Sequence, residues 1–412
     1  MPVTHADRRD ARWDALWYAG FAIVALVVGL VDPVPLARSW GLIASAAYGL
    51  GALAALGLGR SFSRRGVIAM AVFAGAALLP LGLELRWRAE NGLSTHAKSE
   101  TLVTEEAARA WLDGENPYAA DHSEGPLRRF PPGVDAHLPY LPGNLVFGLG
   151  RPLVGDGATG DARPAFAAVF LGTVVAALRL SRAPSGARLR AFMIVVVSPL
   201  GARYVVGGGN DLPVIGAMLL ALVLLERRRP LGAGIAAGLA ATVKLTAWPL
   251  LPFLVAAARD PADRPARTRT AAIVGVVVIA AVAPFLIWDP AAMVEDVLLY
   301  PLGLTSGGTP AASPTLGRLI AQMFPAARAA IAVGAGLIVA SVTLWLLVRH
   351  VPRSARGVAR ATALVLLVAT ALATAGRFGY LVYALDLWIW SAWVLSSEPE
   401  VIVREAAGAT KG

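Results

Sequence analysis

The sequence predicts an all-α protein that crosses a membrane many times. Three observations carry that prediction: an apolar composition, a recurrence of runs long enough to span hydrocarbon, and arginine clusters confined to the ends of those runs. Hydrophobic residues make up 57% of the 412 and charged residues only 16%, against about 25% charged in a soluble globular chain. With a mean hydropathy of +0.62, an ordinary cytosolic enzyme is excluded. A net charge of +10 would suggest nucleic acid as a partner in a soluble domain. Here the arginines sit where topology signals sit, so no nucleic-acid partner is expected. Cysteine is absent, which removes disulfides, a thiolate nucleophile and a thiolate metal site.

A span needs about 20 apolar residues. Apolar segments fall at 15–31, 40–58, 66–83, 164–180, 191–206, 212–225, 231–243, 246–258, 271–288, 326–348, 361–375 and 378–394. They read as about twelve crossings or half-crossings in a single membrane domain over 1–412, with no internal repeat and no cleavable signal peptide. Cytoplasmic loops retain Lys and Arg. With the N-terminus inside, the inner loops hold Arg8, Arg9 and Arg12; Arg60, Arg64 and Arg65; Arg182, Arg188 and Arg190; and Arg227, Arg228 and Arg229. Arg259, Arg264, Arg267 and Arg269 follow, then Arg349, Arg353, Arg356 and Arg360, with Arg404 and Lys411 in the tail. Every short basic loop lands on one face. Both termini are therefore expected in the cytoplasm of a multi-pass cell-membrane protein.

Two outer loops, 85–163 and 289–325, are too long to be simple connectors, and loops of that length usually carry function. In the first, Leu102, Val103, Ala107, Ala110 and Trp111 recur at helical spacing, and Asp113-Gly114 supplies a stop. This predicts a short surface helix over 100–112. The apolar stretch 138–154 contains Pro142 and Gly143 and reads as re-entrant or interfacial, because a true crossing would put the later basic clusters on the wrong side. The arms 231–243 and 246–258 are 13 residues each. Each rises only about 20 Å against a core of about 30 Å, so this hairpin is expected to stop short of the outer surface with Lys244 at its tip.

The motifs of soluble enzymes are missing: no GxxxxGKS or GxxxxGKT phosphate loop, HExxH, GxSxG elbow or DxD pair occurs. Five scattered histidines (His5, His96, His122, His137, His350) make no metal cluster, and neither a metal nor a cofactor is expected. The outer acids and bases remain. Glu100 opens the surface helix, where the helix dipole favours an ionised carboxylate that can take a proton from a hydroxyl. On residue type alone, capping the helix is the commoner role, and Glu105 and Glu106 are equally placed as bases. Lys244 lies between two apolar half-helices, where an ionisable group is costly and marks a functional site by default. Its compact charge suits a phosphate; snorkelling at a hairpin tip is the other role open to it. Arg203 and Arg377 add to the same positive site or serve as interfacial anchors, and Asp386 reads as a partner for one of these cations. The turn Gly207-Gly208-Gly209-Asn210-Asp211 allows close backbone approach and offers hydrogen bonds to a hydroxyl-rich ligand, or is simply a tight turn.

The stretch from Glu100 to Gly114-Glu115-Asn116-Pro117-Tyr118 resembles the first catalytic loop of glycosyltransferase family 87, the polyprenyl-phosphate-mannose-dependent mannosyltransferases of the GT-C superfamily. Phe130-Pro131-Pro132 is similar to that family's aromatic-Pro-Pro element. Gly209-Asn210-Asp211 and the run Gly238-Leu239-Ala240 through Lys244 and Pro249 are similar to its central motifs. The resemblance implies a GT-C-like bundle with an extracytoplasmic active site. It further implies a polyprenyl-phosphate sugar donor, a glycan or glycolipid acceptor among membrane lipids, and one carboxylate, Glu100, acting as base in an inverting transfer. Lys244, Arg203 and Arg377 would then bind donor phosphate, and Asn116, Tyr118, Asn210 and Asp211 would bind substrate. Two departures stand out: Glu100 occupies a position where the family usually has Asp, and two additional crossings precede the loop.

A transporter or lipid flippase is the rival expectation. Such proteins show broken helices in corresponding positions of two halves, whereas one broken hairpin occurs here without a partner. A scaffold of an envelope assembly would bind no lipid phosphate.

Overall fold

The computed structural model describes residues 5–59, 61–122, 125–128, 137–258, 265–305, 309 and 311–396. Among them the chain is helical without a β-strand, apart from one isolated bridge between Ser313 and Gly376. In order come α1 (His5–Val31), α2 (Pro35–Leu58), α3 (Phe62–Asn91), α4 (Ser99–Leu112), α5 (Ala162–Leu180), α6 (Ser185–Val197) and α7 (Pro199–Gly207). There follow α8 (Asp211–Glu226), α9 (Pro230–Val243), α10 (Leu250–Ala257), α11 (Ala266–Trp288), α12 (Pro325–Arg349), α13 (Ala355–Leu372) and α14 (Leu381–Trp393). Each of the twelve apolar segments carries a helix. Among the described residues seven helices are long and apolar enough to span a membrane, and the α6–α7 pair, bent by 43°, makes an eighth if it is one span. Arg60, Arg259, Arg264, Arg404, Lys411 and the Phe130-Pro131-Pro132 element lie outside the described residues.

Proline explains where the long helices deviate, since it lacks an N–H and its ring clashes with the preceding turn. Wide turns at Ala74–Leu78 and Met193–Val197 precede Pro80 and Pro199, and the second is followed by the α6–α7 bend. The first two helices pack backbone to backbone. A Cβ on Gly41 would lie 2.4 Å from the Gly29 nitrogen, the close approach that small residues give membrane helices.

The two long loops contribute to a second layer with its own apolar core, in which Leu102, Leu138, Leu141 and Leu145 pack against Phe285 and Met293. The stretch 138–154 is broken into three short helical pieces packed on α4 and α9, where Gly143 and Gly148 leave no room for a Cβ. Beneath α4 a buried ion network pins the layer to the bundle. Glu105 accepts from Arg88 at 2.7 Å, from Arg151 at 3.3 Å and from the Ala162 N–H at 3.0 Å. Asp161 bonds Arg88 at 2.5 Å and Arg163 at 2.9 Å. Losing one partner of such a buried set leaves an uncompensated charge, at a cost of about 3–5 kcal/mol.

Candidate active site

The site is assembled around the break between α9 and α10. The Gly- and Ala-rich α9 ends at Val243, and Lys244 takes an extended conformation (φ −153°, ψ 143°). A broken helix leaves carbonyls without partners. Here the Val243 carbonyl accepts from the Leu141 N–H at 3.0 Å, and that of Ala241 from Trp248 Nε1 at 3.0 Å. Lys244 Nζ is thereby presented to the start of α8, where it donates to Asn210 Oδ1 at 2.8 Å and Asp211 Oδ1 at 2.5 Å. It also lies 5.1 Å from the centroid of the Tyr140 ring and 5.7 Å from that of Tyr380. Asp211 further accepts from the Tyr383 hydroxyl at 2.6 Å.

The turn before Asp211 is shaped by glycine. Gly208 closes α7 in the left-handed region (φ 76°), and a Cβ there would meet Thr101 Oγ1 at 2.2 Å. The close approach expected of this turn is thus made by the first turn of α4 and by Arg163, within the protein. It brings Glu100 over the Lys244 break.

Glu100 does not cap its helix. Lys98 occupies the cap position without a side-chain cap bond, and the Glu100 carboxylate accepts from Arg377 Nη1. Arg377 is held by the second long loop. The Ser313 N–H donates to the Gly376 carbonyl at 2.9 Å, the Phe378 N–H to Ser313 Oγ at 3.1 Å, and Thr315 Oγ1 to the Ala373 carbonyl at 2.7 Å. Burial pushes the Glu100 carboxyl up, but Lys98, Arg377 and Lys244 outweigh it and hold the group below the ordinary carboxylate range. It is therefore ionised at neutral pH.

These groups line one cavity of about 470 Å³. Three cations (Lys98, Lys244, Arg377) face two carboxylates (Glu100, Asp211), a balance that favours an added anion. Tyr140, Tyr204, Tyr300 and Tyr380 supply the aromatic walls, half of the chain's eight tyrosines. Next to it an apolar groove of about 540 Å³ runs between α7, α13 and α14, lined by Leu200, Leu364, Leu367, Leu381, Leu385 and Trp388. Tyr204, Phe378 and Gly379 border both spaces.

Of the residues singled out in the sequence, Glu100, Lys244, Arg377 and Asp211 meet in this cavity, with Asn210 beneath it. Arg203 does not join them, because its guanidinium is bonded to Asp32 at 2.7 Å in the α1–α2 turn. Asn116 Oδ1 accepts from the Tyr118 N–H at 3.0 Å, which closes a turn away from the cavity. Tyr118 is buried in the outer core and acts through a neighbour, donating to the Tyr140 carbonyl at 2.9 Å. Glu105 is consumed by the buried arginines, and Glu106 sits 3.8 Å from Arg109 outside the cavity wall. Asp386 is buried in α14, and among the described residues it makes no ion pair with a cation. Sequence reasoning missed Lys98 and the four tyrosines. The available signal was that these tyrosines all fall at ends of apolar segments or in the two long loops.

The profile of glycosyltransferase family 87 matches residues 160–375, more than half of the chain. The chain belongs to glycosyltransferase family 87. No curated protein and no solved structure matches it. As a family 87 member it is a membrane glycosyltransferase, and its all-helical architecture is consistent with the GT-C superfamily. The family match includes Asn210, Asp211, Lys244 and Pro249. It begins after Glu100 and the 114–118 motif and ends two residues before Arg377, so the bundle brings residues from within and beyond the matched region into one cavity.

Proposed function

We propose that this family 87 enzyme transfers a sugar, mannose by its resemblance to the mannosyltransferases, from a polyprenyl-phosphate donor to a hydroxyl of a glycan or glycolipid on the extracytoplasmic side. The observation that carries this reading is the ionised Glu100 carboxylate beside Arg377 and above Lys244, in a cavity whose wall is shared with an apolar groove. A phosphate with a long hydrocarbon tail needs both spaces. An ammonium has three donors, and Lys244 uses two on Asn210 and Asp211, leaving one for a phosphate oxygen.

In the proposed reaction Glu100 takes the proton of the acceptor hydroxyl as its oxygen forms the bond to the sugar's C1. The bond from C1 to the phosphate oxygen breaks, and the phosphate leaves with the electron pair toward Lys244 and Arg377. Charge-assisted bonds of this kind are the strong ones. Attack from the face opposite the phosphate inverts the anomeric centre. Arg203, tied to Asp32, acts as an anchor outside this machinery.

Two variants test the assignment together. Glu100→Gln cannot accept a proton and is expected to bind donor normally while losing roughly 10² to 10⁴-fold in transfer. Lys244→Met is expected to weaken donor retention instead, read by mass spectrometry of co-purified lipid. Near-normal transfer by Glu100→Gln would move the base elsewhere, and a Lys244→Met protein that keeps polyprenyl phosphate would remove Lys244 from the donor site.

A further inference from the structure

The basic end of the bundle contains a second cavity, of about 410 Å³, walled by α1, α3, α6 and the end of α14. It lies far from the proposed chemistry, at the end of the helices that carries the arginine clusters. Arg9, Arg65 and Arg190 face it, with Asp10 and Asp14. The two acids are engaged by one arginine: Arg65 bonds Asp14 at 2.6 Å and Asp10 at 2.6 Å and is itself buried. Arg190, with a side chain 47% exposed, reaches Asp10 only at 3.5 Å, and Arg9 is exposed and makes no ion pair among the described residues. One positive charge is left over, held on two accessible guanidiniums. Trp13 and Trp17, 58% and 44% exposed, stand beside them, and Met193 and Ile194 continue the wall toward the bundle interior. Guanidiniums bind phosphate with parallel donors, tryptophan favours the headgroup level of a bilayer, and basic pockets between membrane helices select anionic headgroups.

We propose that this cavity binds the phosphate of an anionic phospholipid, with Arg9 and Arg190 on the headgroup, the tryptophans at its rim and the acyl chains along Met193 and Ile194. Arg65 positions the site by holding both acids away from the phosphate. The test is native mass spectrometry of the detergent-purified full chain titrated with phosphatidylglycerol or phosphatidylcholine. The wild type is expected to retain one phosphatidylglycerol at least about tenfold better than phosphatidylcholine. The double variant Arg9→Gln, Arg190→Gln, altered only at exposed positions, should lose that preference. Arg86→Gln, at an exposed pair with Glu90 on the opposite end, should keep it. Equal retention of the two lipids, or an unchanged preference in the double variant, overturns the proposal. Displacement of phosphatidylglycerol by excess glycerol 3-phosphate also overturns it, since it would make the cavity a site for soluble phosphate.

Discussion

At the residue scale the cavity turns on the contact between Glu100 and Arg377. The proposed base is useful only while deprotonated, and the three surrounding cations favour that state by holding Glu100 below the ordinary carboxylate range. They also make it a weaker proton acceptor, a compromise suited to the proposed reaction, in which a leaving phosphate would be stabilised beside the base. The sign of the pH effect follows. The folded carboxyl ionises at lower pH than an ordinary glutamate, so transfer should hold as pH falls to the ordinary 4.5 and decline only below it. Arg377→Gln removes the bonded cation and leaves burial less opposed. Its acid limb is expected to move up by about 1 to 3 pH units, measured as the pH profile of kcat. A variant with the wild-type limb would mean that the titrating base is not Glu100.

At the scale of elements, the cavity walls are loops strapped to each other. Asp296 of the second long loop accepts from His137 Nδ1 at 2.5 Å and from the Leu138 N–H at 2.8 Å, and the His137 ring lies 4.5 Å from that of Tyr300. Tyr140 and Tyr300, on either side of this clasp, both face the cavity. The bond to Asp296 raises the His137 pKa above its ordinary 6.5. A raised histidine stabilises the fold fully below that ordinary value and loses its contribution as pH climbs through the raised one. Hydrogen exchange over 137–141 and 295–300 should therefore accelerate beyond the intrinsic rate as pH rises above the ordinary 6.5, and Asp296→Asn should erase that dependence. Exchange that follows only the intrinsic rate would mean the clasp adds nothing.

At the scale of the whole molecule, the two ends of α8 differ in kind. Asp211 at its start lines the polar cavity, while Arg227, Arg228 and Arg229 follow its last turn. If basic loops stay in the cytoplasm, the cavity is expected on the outer side. The absence of cysteine makes this directly measurable. Single cysteines introduced at 228 and at 115 are expected to differ in labelling by an impermeant reagent in intact cells, with only 115 reacting. Labelling at 228 instead would reverse the orientation.

Local sequence was enough for the helical class, the positions of the twelve apolar segments, the helix ending at Leu112 and the interruption at Lys244. These follow from runs of apolar residues and their breakers, which act over a turn or two of chain. It also singled out Glu100 and Lys244, because an acid opening a helix and a lysine inside an apolar hairpin are locally conspicuous. Tertiary structure alone decided which charges meet. Glu100 and Arg377 are 277 residues apart and Lys244 and Asp211 are 33 apart, and no periodicity encodes such pairings. The same local view offered Arg203 to the site, but a nearby Asp32 claims it. Glu105 looked equivalent to Glu100 until folding buried it among Arg88 and Arg151. In a low-dielectric interior each ionised group must find a partner, so the fold's choice of partner separates a carboxylate enclosed by arginines from one, Glu100, whose pairing with Arg377 still leaves it on the cavity wall.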